Sequence, residues 1–192
     1  MSLTNSTMLA LGTTLPHFEL PDVVSGKIIS PADFVGCLGI LVMFICRHCP
    51  YVVHVQDEIA RLDREYVPKG IGMIAISSND VTRYSSDRPE QLGTMARELG
   101  FTFSFCFDES QEVAKSFTAA CTPDFFLFDQ DRKLVYRGQL DGSRPGNQKP
   151  VTGRDLRKAI DALLAERPLD QNQVPSAGCN IKWKPGNEPD YA

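Results

Sequence analysis

The chain has 192 residues, of which 42% are hydrophobic and 23% charged, and its formal net charge is −4. This size fits one domain that buries a core without disulfides or structural metals. The acidic balance argues against a nucleic-acid partner, because phosphate binding needs a basic surface. The N-terminal residues lack the charged and then apolar segments of a signal peptide, and no run of 18 apolar residues occurs. We therefore expect a cytoplasmic protein that has no membrane partner.

The first half of the chain predicts a hairpin, a buried strand and a helix in that order. Residues 18–29 contain a turn at Ser25-Gly26 between two short segments, as in a hairpin. Residues 40–45 are continuously apolar, which is typical of a central parallel strand covered on both faces. Apolar residues then recur every three or four positions after Pro50, a residue suited to a first helical turn. These residues are Val52, Val55, Ile59, Leu62 and Tyr66.

The second half continues the alternation of strands and helices. Further strands are predicted at 71–76, 101–107, 125–128 and 134–136. Further helices are predicted at 89–99, 111–117 and 152–164, the last with a capping-box pattern from Thr152 to Asp155. This order predicts an α/β fold in which a mixed central sheet carries helices on both faces, preceded by an N-terminal hairpin.

Composition divides the chain into three parts. Residues 1–13 are polar, and we expect a flexible N-terminus there. Residues 14–167 carry the strand and helix patterns and form the predicted domain. Residues 168–192 hold four prolines and no periodicity, which predicts an extended tail packed on or near the domain. Trp183 is expected to anchor this tail by burial.

Six cysteines occupy positions 37, 46, 49, 106, 121 and 179. In a chain that is neither short nor evidently secreted, closely spaced cysteines indicate catalysis or metal binding more than a disulfide scaffold. Cys46 and Cys49 form the one close pair. They follow the first predicted central strand, at the sheet edge where catalytic groups gather in α/β folds.

Cys49 is the better candidate nucleophile of this pair. It directly precedes Pro50 at the predicted helix start, where backbone N–H groups without helical partners favour a thiolate. Arg47 and His48 add positive charge. A second thiol must then resolve the mixed disulfide or sulfenic acid. The alternative is that Cys46, Cys49 or both are buried thiols that only pack.

Thr122-Pro123 immediately precedes a strongly apolar predicted strand. A proline at strand entry can be a trans residue at a sheet edge or a cis residue in a tight turn. The residues themselves leave both conformations open.

The chain resembles the thioredoxin superfamily and, within it, the redoxin group of alkyl hydroperoxide reductases. It is most similar to the bacterial peroxiredoxin-like proteins of this fold, over about residues 13–165 and part of the tail. Five runs carry the resemblance: Met-Phe-Ile-Cys-Arg-His-Cys-Pro (43–50), Ile-Ser-Ser-Asn-Asp (76–80), Cys-Thr-Pro-Asp-Phe (121–125), Tyr-Arg-Gly-Gln-Leu-Asp (136–141) and Gly-Cys-Asn-Ile-Lys-Trp-Lys (178–184).

The resemblance implies a thioredoxin-like three-layer sandwich in which Pro123 is cis and faces Cys49, with Thr122 beside it. In thioredoxins a run of six residues leads from the strand to the nucleophile. The same count here ends on Cys49 and places Val52 at the partner cysteine.

The resemblance also implies a departure from the peroxiredoxin motif. That motif is Pro-x-x-x-Thr-x-x-Cys, and with Cys49 as its cysteine, Cys46 stands for the threonine and Val42 for the proline. The pair Cys46 and Cys49 is then displaced by three residues from the family's usual redox pair.

Two more cysteines are candidate resolving thiols. Cys121 lies two residues before Pro123 and can approach Cys49 from the proline loop. Cys179 lies in the tail and reaches Cys49 if the tail folds back. Packing roles are the alternative for both, and Cys37 and Cys106 are expected to be core or surface fillers. We rank Cys46 first as the resolving thiol, Cys121 second and Cys179 third.

These observations lead to a thiol–disulfide oxidoreductase or thiol peroxidase-like antioxidant protein. Its substrate is a disulfide or a peroxide, and its electrons come from a thioredoxin or a small thiol. No organic cofactor is expected because no glycine-rich phosphate loop occurs, and a homodimer is compatible with this interpretation. The alternatives are copper(I) or zinc binding by Cys46, His48 and Cys49, and a redox-inactive module that binds partners at the cis-proline groove.

Overall fold

The computed structural model describes residues 3–191, which contain ten strands and four α-helices. The strands are β1 (Leu3–Asn5), β2 (Leu20–Pro21), β3 (Ile28–Ile29), β4 (Gly39–Phe44), β5 (Ile71–Ser77), β6 (Ser104–Phe107), β7 (Cys121–Thr122), β8 (Asp124–Asp129), β9 (Leu134–Gly138) and β10 (Ala177–Asn180). The helices are α1 (Pro50–Tyr66), α2 (Pro89–Leu99), α3 (Glu112–Ser116) and α4 (Arg154–Leu164).

Five strands form the central sheet in the order β6-β5-β4-β8-β9. β4, β5 and β6 run parallel, whereas β8 and β9 pair antiparallel. All six residues of β4 are buried, because its side chains alternate between two cores. Leu41 and Met43 pack in the core with residues of α1, α2 and α4, while Ile40, Val42 and Phe44 pack in the core with residues of α3. The predicted mixed sheet with helices on both faces is confirmed.

The N-terminal hairpin is also present, with β2 antiparallel to β3. The Asp22 carboxylate accepts hydrogen bonds from the backbone N–H and hydroxyl of Ser25, at 2.9 and 2.6 Å. Gly26 turns the chain with a φ of 73°, a conformation that glycine adopts without a steric penalty.

Two element starts differ from the prediction. β6 begins at Ser104, not at residue 101, because both the N–H and the hydroxyl of Thr102 donate to the Asp63 carboxylate at 2.6 Å, which draws this residue out of the ladder. α4 begins at Arg154, after Gly153 with a φ of 65°. The predicted capping box is wrong. The Asp141 carboxylate accepts the N–H groups of Thr152 and Gly153 instead, at 2.6 and 2.7 Å.

The two ends of the chain meet in a second, three-stranded sheet of order β1-β10-β7. In this sheet Leu3 to Asn5 pair with β10 and cover its outer edge, which differs from the predicted flexible N-terminus. Residues 1 and 2 lie outside the part of the chain that the structure describes. Such pairing uses backbone groups, so a polar sequence does not reveal it. Trp183 is buried as predicted and packs edge-on against Tyr191. Within residues 3–191, no helix combines the length and apolarity needed to cross a membrane.

Candidate active site

Cys49 lies where the central sheet passes into α1. The chain leaves β4, and the N–H of Ile45 still bonds to Ile76 at 3.1 Å. Cys49 is the N-cap residue of α1 and Pro50 is its first helical residue. The Cys49 carbonyl accepts the N–H groups of Val52 and Val53, both at 3.0 Å. The Cys49 side chain itself is fully buried.

The proline loop faces Cys49. The peptide bond between Thr122 and Pro123 is cis, as the resemblance implied. In its thiol form, Cys49 donates to the Thr122 carbonyl oxygen at 3.2 Å. The Thr122 hydroxyl lies 3.5 Å from the sulfur of Cys46. The residue before the cis-proline therefore contacts both cysteines of the close pair.

The neighbouring residues favour the charged form of the Cys49 thiol. The Cys46 thiol contributes most, and it is joined by the Thr122 hydroxyl and by the thiol and backbone N–H of Cys179. Burial opposes the charged form, but the donors outweigh it and lower the pKa of Cys49 from 9.0 to about 4. These contacts favour the thiolate form of Cys49 at neutral pH.

This stabilisation differs from the one predicted. We expected N–H groups of the helix start and the charges of Arg47 and His48 to hold the thiolate. The Cys49 side chain makes no capping hydrogen bond to α1. The Arg47 guanidinium bonds to the carbonyl and amide oxygens of Gln91, both at 3.0 Å, and His48 is engaged by Asp87. Neighbouring thiols and a hydroxyl supply the donors instead.

The other cysteines near the site are protonated. Burial raises the pKa of the Cys46 and Cys121 thiols well above the usual value. Burial, assisted by the Cys49 charge, raises the pKa of Cys179 to about 12. Cys121 is buried, and its sulfur lies 3.7 Å from the Pro123 carbonyl. The surroundings therefore favour the thiolate at Cys49 and the neutral thiol at Cys46, Cys121 and Cys179.

His48 and Asp87 form a second group beside Cys46. His48 Nδ1 lies 2.5 Å from Asp87 Oδ2 and 3.9 Å from Cys46 Sγ. Asp87 is fully buried and also accepts the backbone N–H groups of Arg47 and His48, at 2.8 and 3.1 Å, and the Asn79 amide at 2.8 Å. Burial alone would raise the pKa of Asp87, but these donors lower it below the usual value.

No feature of the sequence indicates that Asp87 belongs to this site. It ends a short 3-10 helix (Ser85–Asp87) before α2, 39 residues from His48, and no local pattern marks it. Asn79 did carry a signal, because it belongs to the run 76–80 that supported the resemblance. Its position just beyond the carboxyl end of β5 is where an α/β fold gathers functional groups.

The predicted metal donors were Cys46, His48 and Cys49, whereas the structure clusters Cys46, His48 and Asp87 within 4.8 Å of one another. His48 Nδ1 and Asp87 Oδ2 are hydrogen-bonded to each other at 2.5 Å. A cation bound by these two residues would replace this hydrogen bond.

The tail covers the site. β10 pairs antiparallel with β7, which places Cys179 opposite Thr122. The Ser176 hydroxyl donates to the Pro123 carbonyl at 2.8 Å, and the N–H of Ile181 donates to Ala120 at 3.0 Å. The surface beside the cis-proline is therefore occupied by the chain's own C-terminal strand.

Comparison with known proteins agrees with this arrangement. The model of the AhpC/TSA family matches residues 11–137. The chain belongs to the AhpC/TSA family. A conserved protein from Geobacillus kaustophilus is 50% identical, with a TM-score of 0.95 over 97% of this chain and 98% of that one.

Two more distant relatives extend the comparison. A Mycobacterium tuberculosis protein with the word peroxiredoxin in its name is 25% identical over 145 residues, which are 69% of this chain and 87% of that protein. The thioredoxin domain of a Bacteroides vulgatus thiol-disulfide oxidoreductase aligns with a TM-score of 0.57 at 21% identity, over 71% of this chain and 90% of that one. The fold of this AhpC/TSA protein is thus thioredoxin-like.

The lowered pKa of Cys49 has a measurable consequence. The alkylation rate of Cys49, followed by peptide mass spectrometry, should stay level from pH 8 to pH 5 and fall as the thiolate is protonated near pH 4. In Thr122→Val the hydroxyl donor is lost, so the midpoint should move to higher pH. A wild-type midpoint near the usual thiol pKa of about 8.5 would contradict the stabilisation described above.

Proposed function

We propose that this AhpC/TSA protein is a thiol–disulfide oxidoreductase or thiol peroxidase-like protein that reacts through the Cys49 thiolate. One observation carries the proposal: Cys49 lies at the start of α1 against the cis-proline loop, with its sulfur 3.2 Å from the Thr122 carbonyl oxygen, and its neighbours lower its pKa. A purely structural buried cysteine has its pKa raised by burial, as Cys106 does. The pKa of Cys49 is lowered instead, and a nucleophilic cysteine requires a lowered pKa.

The first step differs between the two substrate classes. With a disulfide, Cys49 S⁻ attacks one sulfur, the substrate S–S bond breaks, and a thiolate leaves while a mixed disulfide forms on Cys49. With a hydroperoxide, the thiolate attacks the terminal oxygen, the O–O bond breaks and an alcohol leaves after protonation. Cys49 is then a sulfenic acid.

Cys46 is our first choice for the thiol that completes the cycle. It is three residues from Cys49, and both sulfurs contact Thr122, Cys46 at its hydroxyl (3.5 Å) and Cys49 at its carbonyl oxygen (3.2 Å). Its attack on Cys49 would form a Cys46–Cys49 disulfide and release the second substrate thiol, or water from the sulfenic acid. A thioredoxin or a small thiol would then reduce this disulfide by exchange. The cytoplasmic location and the homodimer are further predictions of this proposal.

Peptide mapping of the oxidised protein tests the proposed cycle. After one equivalent of hydrogen peroxide or of oxidised glutathione, mass spectrometry should find a Cys46–Cys49 disulfide as the main product. Cys46→Ser should instead accumulate a sulfenic acid or a glutathione adduct on Cys49. Oxidation that leaves Cys49 a thiol and modifies Cys37 or Cys106 would contradict the proposal.

A further inference from the structure

The C-terminal strand β10 lies directly over Cys49. The Thr122 carbonyl oxygen is 3.2 Å from the Cys49 sulfur. Gly178 of β10 packs so closely against the same oxygen that an added Cβ would lie 2.0 Å from it. Cys179 belongs to the buried cluster that contains Cys49. Cys49 is therefore fully buried, although the proposed reaction requires a substrate to reach its sulfur.

β10 is paired as an extended peptide would be. It runs antiparallel to β7, with Cys179 opposite Thr122, and the N–H of Ile181 donates to the Ala120 carbonyl at 3.0 Å. Backbone bonds of this kind accept an extended segment of another chain when its side chains fit. The tail thus occupies the edge of β7 in the place of a polypeptide segment that would present a cysteine to this site.

The central sheet does not include this strand. β10 belongs to the separate sheet β1-β10-β7, whereas the order β6-β5-β4-β8-β9 is complete without it. Contacts at its two ends hold it in place. The Ser176 hydroxyl donates to the Pro123 carbonyl at 2.8 Å. The backbone of Lys182 donates to the Asn79 side chain and accepts the N–H of Asp80, both at 2.8 Å. A short strand held in this way can open locally while the rest of the domain stays folded.

We propose that β10 is an autoinhibitory strand, which covers Cys49 until it leaves β7 and a polypeptide disulfide takes its place. This inference rests on the proposed function and adds regulation to the same site. In the open form the Cys49 thiolate attacks one sulfur of the bound disulfide, the S–S bond breaks, and the other sulfur leaves as a thiolate with the electron pair. The groove requires glycine before the attacked cysteine, because a Cβ there would overlap the Thr122 carbonyl.

A synthetic peptide of residues 174–184 provides the probe for this groove. Its Cys179 sulfur carries thionitrobenzoate as a mixed disulfide. Attack by Cys49 on the peptide sulfur releases the coloured thiolate, which is the better leaving group. A second peptide carries Gly178→Ala. We expect it to react about tenfold or more slowly, because its methyl group displaces the peptide backbone from the cis-proline loop.

Ser176→Ala in the full chain should favour the open form without touching the nucleophile. It leaves the Pro123 carbonyl without its hydroxyl donor while β10 is closed, so the glycine peptide should react about tenfold faster than with the wild type. Amide hydrogen exchange should accelerate by the same factor within residues 177–180 and stay unchanged in β4. Ser116→Ala is the matched control, because the hydroxyl it removes also donates to a carbonyl at 2.8 Å, that of Val113. Its reaction and exchange rates should equal those of the wild type.

The remaining outcomes separate this inference from the proposed function. Trp183→Ala removes a buried side chain of the tail and is the second opening variant if Ser176→Ala leaves exchange unchanged. Faster exchange in β10 without faster release of thionitrobenzoate would overturn the inference, as would unchanged exchange in both variants or equal rates with the two peptides. Release that persists in Cys49→Ser would refute the proposed function instead.

Discussion

Cys49→Ser is expected to abolish both disulfide reduction and peroxide turnover. A serine hydroxyl is protonated at neutral pH even where a cysteine is a thiolate, so the nucleophile is lost although its size and position are kept. The rate should fall by roughly three orders of magnitude or more, the scale on which removal of a nucleophile acts. Consumption of hydrogen peroxide and reduction of an insulin disulfide, each with a thioredoxin or small thiol as donor, measure this loss.

Cys37→Ser is the matched control for this variant. Cys37 is half-buried and precedes β4, so its replacement should leave both rates unchanged. The fold of Cys49→Ser should survive, with a loss of about 1–2 kcal/mol because its hydrogen-bond donors lose a charged acceptor. Full activity in Cys49→Ser would place the nucleophile elsewhere, and loss of activity in Cys179→Ser alone would direct the search to the tail.

The sequence predicts the sheet and the position of Cys49 because both depend on local patterns. The apolar run of β4 can be buried only between two layers, and the apolar spacing from Val52 onward fits one face of a helix. A cysteine between two such elements must lie at the sheet edge. The count of residues from the strand then agrees with the thioredoxin resemblance.

The chemical environment of Cys49 could not be predicted in the same way. It depends on contacts between residues far apart in the chain: Asp87 with His48, and Cys179 with Thr122. The tail strand shows why such contacts escape a sequence pattern. Ala177–Asn180 is short, contains a glycine and an asparagine, and is held by backbone bonds on both edges, so no alternation of side chains marks it as a strand.

The fit of the tail strand depends on Gly178, whose replacement by alanine should uncover Cys49. A Cβ at this position would lie 2.0 Å from the Thr122 carbonyl oxygen and 2.7 Å from its carbon. Both atoms belong to the backbone beside the cis-proline, so β10 must separate from β7 to relieve the overlap. Several hydrogen bonds at about 1 kcal/mol each are then lost, for a total of about 2–4 kcal/mol.

Two measurements follow from this separation. The free energy needed to separate β10 from β7 falls by the same amount. Alkylation of Cys49 by a bulky maleimide at pH 7 should therefore be faster by about one to three orders of magnitude. The melting temperature should fall by about 4–16 °C. Gly142→Ala is the control, because a Cβ there meets only the Lys149 side chain at 3.8–3.9 Å, an ordinary contact. Equal alkylation rates in the two variants would show that β10 accommodates the methyl group without leaving β7, and that the reagent reaches Cys49 by another route.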